Sequence, residues 1–277
     1  MNPTHRLLGT AFLCSVLSTQ VFAQNLKANT EHIKFGFLNT NKTQLLLLES
    51  LPPSKAGVYQ SAQCSESGAF KTQYLIVQKK GAKDTARDNA YNFDARSGTL
   101  YNASPLAKAS LLNLNRFDYC FALSNAFVNQ HSILTPKLMG NIPLRAVTLK
   151  RIAIVKKRPI KSAWFLAQLD ADTGVAVVRF ARQGQSELLS LVLIQKDTLM
   201  FDDYPAKYDS VSTWRVDDGN EFEPQWLKIV FGYKLATGYG LGFAWAGAES
   251  QFLSLLEFSP TRKTQEIASG SFYVAPQ

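Results

Sequence analysis

The sequence predicts an all-β fold, mainly antiparallel and either sandwich-like or propeller-like, with one or two short helices. Short apolar segments alternate with polar turns along most of the 277 residues, and one glycine-rich segment alternates large and small side chains. The chain is 46% hydrophobic with a mean hydropathy of -0.09, which is typical of a water-soluble protein with a buried core. No apolar run in the body of the chain reaches the roughly 18 to 20 residues that a membrane helix needs.

Residues 1–23 predict a secretory signal, because Arg6 precedes an apolar run over residues 7–17 and Ala23 ends a short cleavage motif. We expect cleavage after Ala23. A lipid anchor on Cys14 is the alternative, but the bulky Leu13 stands where small residues are preferred. The sequence therefore predicts a periplasmic or secreted protein without a membrane span, whose residues 24–277 form a single β-rich domain; a boundary near residue 159 is the weaker alternative.

Removal of the signal leaves two cysteines, Cys64 and Cys120, which predict one disulfide in an oxidising compartment. Closing a loop of about 57 residues would stabilise the fold by roughly 4 kcal/mol in the entropic account. The chain has no C-x-x-C pair, and neither His32 nor His131 lies at a zinc-like spacing from a cysteine. We therefore predict no metal site.

The first strands are predicted over 33–38 and 44–48, which flank a polar loop and form a hairpin, and over 74–78, which leads into an exposed basic loop. A short helix is predicted over Ser104–Leu112, because Ser104 can cap it and Pro105 suits the first helical position. Further strand signals follow in quick succession over 164–169, 175–181, 188–195, 198–201, 212–216 and 226–233.

Two segments, 93–101 and 169–177, resemble each other, since each places Asp-Ala and two turn residues before a glycine and an extended run. This pattern predicts two unrelated hairpins. It also leaves open a propeller, in which such turns recur between strands.

The segment 238–247 predicts a strand with one large and one nearly bare face. Tyr239, Leu241, Phe243 and Trp245 share the large face, while glycine and alanine form the other. Glycines at this density weaken a strand unless something approaches its backbone closely. We therefore expect an aromatic neighbour, or else a ligand, over the small face.

The formal net charge of +9 is unevenly distributed. The densest basic stretch, Lys150–Lys161, predicts a buried strand with charged ends. Its functional alternative is a patch for an anionic surface such as envelope lipid phosphates or acidic polysaccharide. Export and the lack of interleaved aromatic residues argue against nucleic acid as a partner.

The stretch 197–226 combines acidic and aromatic residues and is the predicted binding region. Its candidate binding residues are Asp202, Asp203, Tyr204, Trp214, Asp217, Asp218, Glu221 and Trp226. Aromatic faces and carboxylates suit a glycan or peptide surface, and paired carboxylates would also suit glycoside hydrolysis. A calcium site over Asp217–Glu221 is a weaker alternative to a solvated turn, because the segment lacks the complete EF-hand pattern.

The sequence carries no nucleophile elbow, metal-binding H-E-x-x-H helix or phosphate loop. A catalytic triad would have to use His32 or His131, and neither sits in a catalytic motif. The predicted function is therefore a non-catalytic binding or envelope-associated role, without a cofactor, for which an anionic envelope component or a glycan is the candidate partner. A carboxylate-dependent hydrolase of glycans, using 197–226, is the alternative.

Overall fold

A computed structural model describes residues 31–106 and 117–274, so the predicted signal over 1–23 lies outside the described residues. Every strand pairing in the described part of the chain is antiparallel, which confirms the all-β prediction. The strands form a closed barrel and two five-stranded sheets. The two sheets pack face to face as a sandwich, so the propeller alternative is wrong. Among the described residues, no helix is both long and apolar enough to cross a membrane.

The barrel closes in the order β1-β2-β5-β4-β3-β6, with β6 returning to β1. Its strands are β1 (Ile33–Leu38), β2 (Gln44–Leu47), β3 (Tyr59–Cys64), β4 (Gly68–Gln78), β5 (Gly98–Pro105) and β6 (Tyr119–Ser124). The short helix α1 (Pro53–Ala56) precedes β3, and α2 (Asn125–Gln130) follows β6. Cys64 and Cys120 lie directly opposite each other on β3 and β6 and form the predicted disulfide.

The second half of the chain forms an inner and an outer sheet. The inner sheet has the order β16-β15-β14-β13-β7 and the outer sheet the order β12-β11-β10-β9-β8. The strands are β7 (Ile133–Leu134), β8 (Lys137–Pro143), β9 (Ile160–Asp170), β10 (Thr173–Phe180), β11 (Ser186–Gln195), β12 (Thr198–Lys207), β13 (Leu227–Leu235), β14 (Gly238–Ala246), β15 (Ser250–Phe258) and β16 (Gln265–Tyr273).

The inner sheet lies between the barrel and the outer sheet. One of its faces packs against the outside of the barrel, where the rings of Phe121 and Phe231 lie 5.2 Å apart. Its other face packs against the outer sheet, for example through Leu241 and Val177. A third helix, α3 (Ala146–Lys156), covers the remaining face of the outer sheet. The layers therefore follow one another as barrel, inner sheet, outer sheet and helix.

The glycine-rich segment forms β14 and matches the prediction for its two faces. Tyr239, Leu241 and Phe243 point into the sandwich core. On the bare face, the rings of Phe231 and Tyr233 from β13 lie where side chains on Gly242 and Gly240 would be. The close approach that the glycines require is therefore made by neighbouring aromatic side chains.

The predicted strand over Lys150–Lys161 is wrong, because most of it belongs to α3. Ile152 is buried against the outer sheet, whereas Ile154 and Val155 are exposed. A strand would have placed Ile152 and Ile154 on the same face. The β-branched residues favoured a strand only weakly, and packing of one helical face on the sheet decides the conformation.

Several predictions that rest on turn residues fail, because those residues form other turns or end a strand in the structure. The predicted strand 212–216 is a series of turns, and segment 93–101 holds a 3-10 turn before β5 rather than a hairpin. The similar segment 169–177 does form the β9–β10 hairpin. Ser104 and Pro105 end β5 instead of starting a helix, and residues 107–112 of that prediction lie outside the described residues. The described helices number three rather than one or two.

Candidate functional site

The aromatic members of the predicted binding region meet at one end of the sandwich. Phe222, in the loop 208–226 between β12 and β13, is buried there and lies 5.8 Å from the rings of both Trp226 and Trp245. The aromatic cluster contains Trp164, Tyr204, Trp214, Phe222, Trp226 and Trp245, and thus all four tryptophans of the chain. Trp164 and Trp245 come from β9 and β14, so the stretch 197–226 could not indicate them.

The carboxylates of the same region point in different directions. Asp202 and Asp203 are neighbours on β12 and therefore face opposite sides of the outer sheet. Asp203 accepts hydrogen bonds from Lys156 Nζ at 2.7 Å and Ser190 Oγ at 2.6 Å. Burial raises the pKa of Asp202, and the hydrogen bond from Tyr204 opposes that shift.

Asp218 organises the loop 208–226 from within. Its carboxylate accepts hydrogen bonds from the backbone N–H groups of Thr213, Trp214, Arg215 and Asn220, at 2.6 to 3.0 Å. Burial alone would raise its pKa, but these four donors outweigh burial and lower the pKa. Asp218 therefore holds the turn that presents Trp214.

Glu221 anchors the same loop to the outer sheet. It accepts hydrogen bonds from Lys161 Nζ at 3.1 Å and from buried Arg179 Nη1 at 2.9 Å. Asp217 is exposed and takes a left-handed backbone conformation with φ of 58°. The structure thus gathers the predicted aromatic residues but distributes the predicted carboxylates over separate structural roles.

A polar surface depression of about 500 Å³ lies at the end of the sandwich where three hairpins meet. Its carboxylates and lysines already pair with each other. Asp170 accepts a hydrogen bond from Tyr239 Oη at 2.8 Å and lies 3.4 Å from Lys234 Nζ. Asp172 lies 3.2 Å from Lys196 Nζ. These charges therefore balance within the depression.

Helix α3 offers a different kind of surface. Pro143 precedes the helix. Lys157, directly after the helix, has a left-handed backbone conformation, and Pro159 follows two residues later, as is common after helix ends. Leu149 and Ile152 pack onto the outer sheet. This packing turns the opposite side of the helix toward solvent.

Two ion pairs fix α3 to β12 and to the turn before it. Lys156 Nζ bonds to Asp203 and lies 4.2 Å from the centre of the Phe201 ring. Arg151 Nη1 lies 3.6 Å from Asp197 Oδ1. The carboxylate predicted as a ligand-binding group therefore positions the helix.

The outward side of α3 is both apolar and basic. Val147 and Ile154 are each 65% exposed and Val155 is 57% exposed. Lys150 and Lys157 are exposed beside them, and the first helical turn contains no acidic residue. We call this outward side, together with exposed Arg145, the α3 surface.

Comparison with known protein families, curated proteins and solved structures finds no match in any of the three. Function is therefore inferred from the geometry and charge of this chain alone.

The sequence does contain a signal for the α3 surface. Residues 119–169 include eight basic residues and no acidic residue. Pro159 beyond a basic last turn is a helix-end signal. Read with a helical period, the same stretch places Val147, Lys150 and Ile154 on one side. The strand interpretation of Lys150–Lys161 concealed this arrangement.

Proposed function

We propose that this protein is an exported, non-catalytic binding protein that associates with the phosphate-rich anionic surface of the cell envelope through its α3 surface. The observation that carries the proposal is the exposed basic side of a helix in a 51-residue stretch without acidic residues, 119–169. The disulfide between Cys64 and Cys120 supports an oxidising location.

The charges on the α3 surface suit this role because structural ion pairs do not occupy them all. Arg151 and Lys156 hold the helix to β12 and its preceding turn. Arg145, Lys150 and Lys157 are exposed. Basic residues near an anionic membrane contribute about 1 kcal/mol each to binding.

The aromatic cluster supports glycan binding as a second candidate function. Aromatic faces provide contact area for sugars, and Trp214, Trp226 and Trp245 are all partly exposed. A glycan-cleaving mechanism gains no such support, because Asp203, Asp218 and Glu221 already serve structural contacts.

Tryptophan fluorescence tests the glycan candidate, since all four tryptophans lie in the aromatic cluster. Titration with peptidoglycan fragments should shift the emission, and the shift should be lost in Trp226→Ala. Unchanged emission at millimolar fragment would reject glycan binding at this end of the sandwich.

Co-sedimentation with vesicles of equimolar phosphatidylcholine and phosphatidylglycerol tests the main proposal. At low salt the protein should bind, and vesicles of phosphatidylcholine alone should not retain it. The triple variant Arg145→Gln, Lys150→Gln and Lys157→Gln should bind roughly 100-fold more weakly, because three charges together contribute about 3 kcal/mol.

A matched variant separates local from global charge. Lys71, Lys79 and Lys83 are exposed on and after β4, and their replacement by glutamine removes the same net charge. We expect this variant to retain most of the binding. Equal losses in both triple variants, or no binding by the unmodified protein, would contradict the assignment to the α3 surface.

A further inference from the structure

The apolar part of the α3 surface goes beyond what electrostatic attraction needs. In the described part of the chain, five exposed large apolar side chains lie within residues 138–155, two on β8 and three on α3. They are Leu138, Ile142, Val147, Ile154 and Val155, each between 44% and 65% exposed. An isolated exposed apolar residue is ordinary, but a grouped patch marks an interaction site.

The outward side of α3 carries apolar and basic side chains together. Val147 and Ile154 are seven residues apart and therefore share one side of α3, with Lys150 between them. Interfacial helices combine apolar side chains that enter the acyl boundary with lysine and arginine that remain at the headgroups. The long stems of Lys150 and Lys157 allow their charges to stay in water.

The layer order leaves this side of the helix accessible. The inward residues of α3 pack on the outer sheet, and the barrel lies on the far side of the inner sheet. The Lys156–Asp203 and Arg151–Asp197 ion pairs also connect the helix to β12 and to the turn before it. A flat surface can therefore approach the helix without displacing another element of the described chain.

An acidic polysaccharide would satisfy the charges but would leave Val147, Ile154 and Val155 in water. A bilayer satisfies both requirements, since its phosphates meet the basic residues and its acyl boundary takes up the apolar side chains. Charge complementarity and exposed apolar area together identify one partner.

We propose that α3 is an interfacial helix that inserts Val147, Ile154 and Val155 into the headgroup–acyl boundary of an anionic phospholipid bilayer. This inference rests on the proposed function and specifies its partner as a lipid membrane, bound by apolar insertion as well as by charge. The protein is thereby a peripheral membrane protein that docks with its outer layer toward the bilayer.

Salt distinguishes insertion from electrostatic adsorption. At about 1 M salt the Debye length falls to about 3 Å, so purely electrostatic binding is largely screened. Inserted apolar side chains continue to contribute under those conditions. The unmodified protein should therefore keep a measurable share of its binding to the phosphatidylglycerol-containing vesicles at high salt.

The decisive variant replaces Val147, Ile154 and Val155 by glutamine, a polar residue that suits an exposed position and has a high helix propensity. We expect at least a tenfold loss of partitioning at low salt and complete release at high salt. The matched control makes the same change to glutamine at Leu75, Ile76 and Val211, which are 40% to 58% exposed on β4 and in the loop 208–226. It should bind like the unmodified protein. Circular dichroism checks that both variants keep the native fold.

The outcomes separate the two proposals. Binding that disappears at high salt, together with unchanged binding of the α3 glutamine variant, would overturn insertion while leaving charge-driven association intact. A lack of binding to anionic vesicles at low salt would overturn both. If the unmodified protein and the α3 glutamine variant bound a soluble acidic polysaccharide equally well, the partner would be a glycan and not a membrane.

The substitution Ile154→Trp adds a positive test. It should strengthen partitioning into vesicles, because tryptophan favours the membrane interface.

Discussion

The carboxylates of Asp118 and Asp202 differ in how the surrounding residues compensate for burial of their charge. Asp118 is buried at the end of the barrel and pairs with buried Lys42, whose Nζ lies 3.2 Å away. The backbone N–H groups of Glu66 and Ser67 also donate to it, at 2.8 and 2.9 Å. Asp202 instead has a raised pKa, because burial disfavours its charge. The pairing of Asp118 could not be predicted, since Lys42 and Asp118 are 76 residues apart in the sequence.

Replacing Asp118 by alanine should strongly destabilise the protein, because it leaves the ammonium group of Lys42 buried without its counter-charge. We expect a loss of about 3 to 5 kcal/mol in the free energy of unfolding, measured by urea denaturation. Asp172→Ala provides the control, since its ion pair with Lys196 is exposed and should contribute less than about 1 kcal/mol. A similar small loss in both variants would show that Lys42 does not need its partner.

The raised pKa of Asp202 predicts a defined pH dependence. Since its folded-state pKa lies above the ordinary value of 3.8, the favourable contribution of the protonated form is complete at low pH and is lost as pH rises through the folded pKa. Asp202→Asn should therefore be more stable than the unmodified protein at neutral pH, and the difference should vanish below pH 3.8. Thermal unfolding measured across this pH range checks the sign. A destabilised variant at neutral pH would show that the Asp202 charge is favourable.

At the scale of elements, the sequence predicts best where structure is local. The β1–β2 hairpin and the β9–β10 hairpin follow from turn residues that lie between their strands. Closure of the barrel by β1 and β6 was not predicted, because it joins segments more than 80 residues apart. The sequence favours a strand where α3 forms, because a run of β-branched residues does not show which element will pack against it.

The close packing on the bare face of β14 predicts how a substitution at Gly240 changes the free energy of unfolding. A methyl group on Gly240 would overlap the Tyr233 ring, so Gly240→Ala forces that ring or the strand to move. We expect a loss of about 1 to 3 kcal/mol in the free energy of unfolding. Gly57→Ala is the control, because Gly57 has a helical φ of -63° and a Cβ there would meet nothing closer than 3.8 Å. Equal stabilities of the two variants would contradict the close packing of Tyr233 on β14.

At the scale of the molecule, the barrel and the sandwich share a core. Phe121 from the barrel and Phe231 from the inner sheet belong to one buried cluster, and backbone N–H groups connect Asp88 and Tyr273 across the same boundary. The sequence predicts an exported protein built from β-strands. It does not predict that the four tryptophans meet or that one side of α3 faces solvent, because both depend on long-range packing. The prediction of one domain over 24–277 therefore depends on this shared core.

We expect urea to unfold the barrel and the sandwich in one transition. Tryptophan fluorescence reports on the sandwich, where all four tryptophans lie, whereas far-ultraviolet circular dichroism reports on both parts. The two curves should coincide, as they do for a cooperative two-state unit. A second phase in circular dichroism alone would support separate domains.

The most direct test of membrane docking measures the depth of one side chain. In Ile154→Trp, the new indole lies on the α3 surface, whereas the four native tryptophans are part-buried in the aromatic cluster at one end of the sandwich. With anionic vesicles containing lipids brominated on their acyl chains, we expect the added emission to be quenched and the native emission to remain. Full binding to these vesicles without quenching of the added tryptophan would contradict insertion of α3.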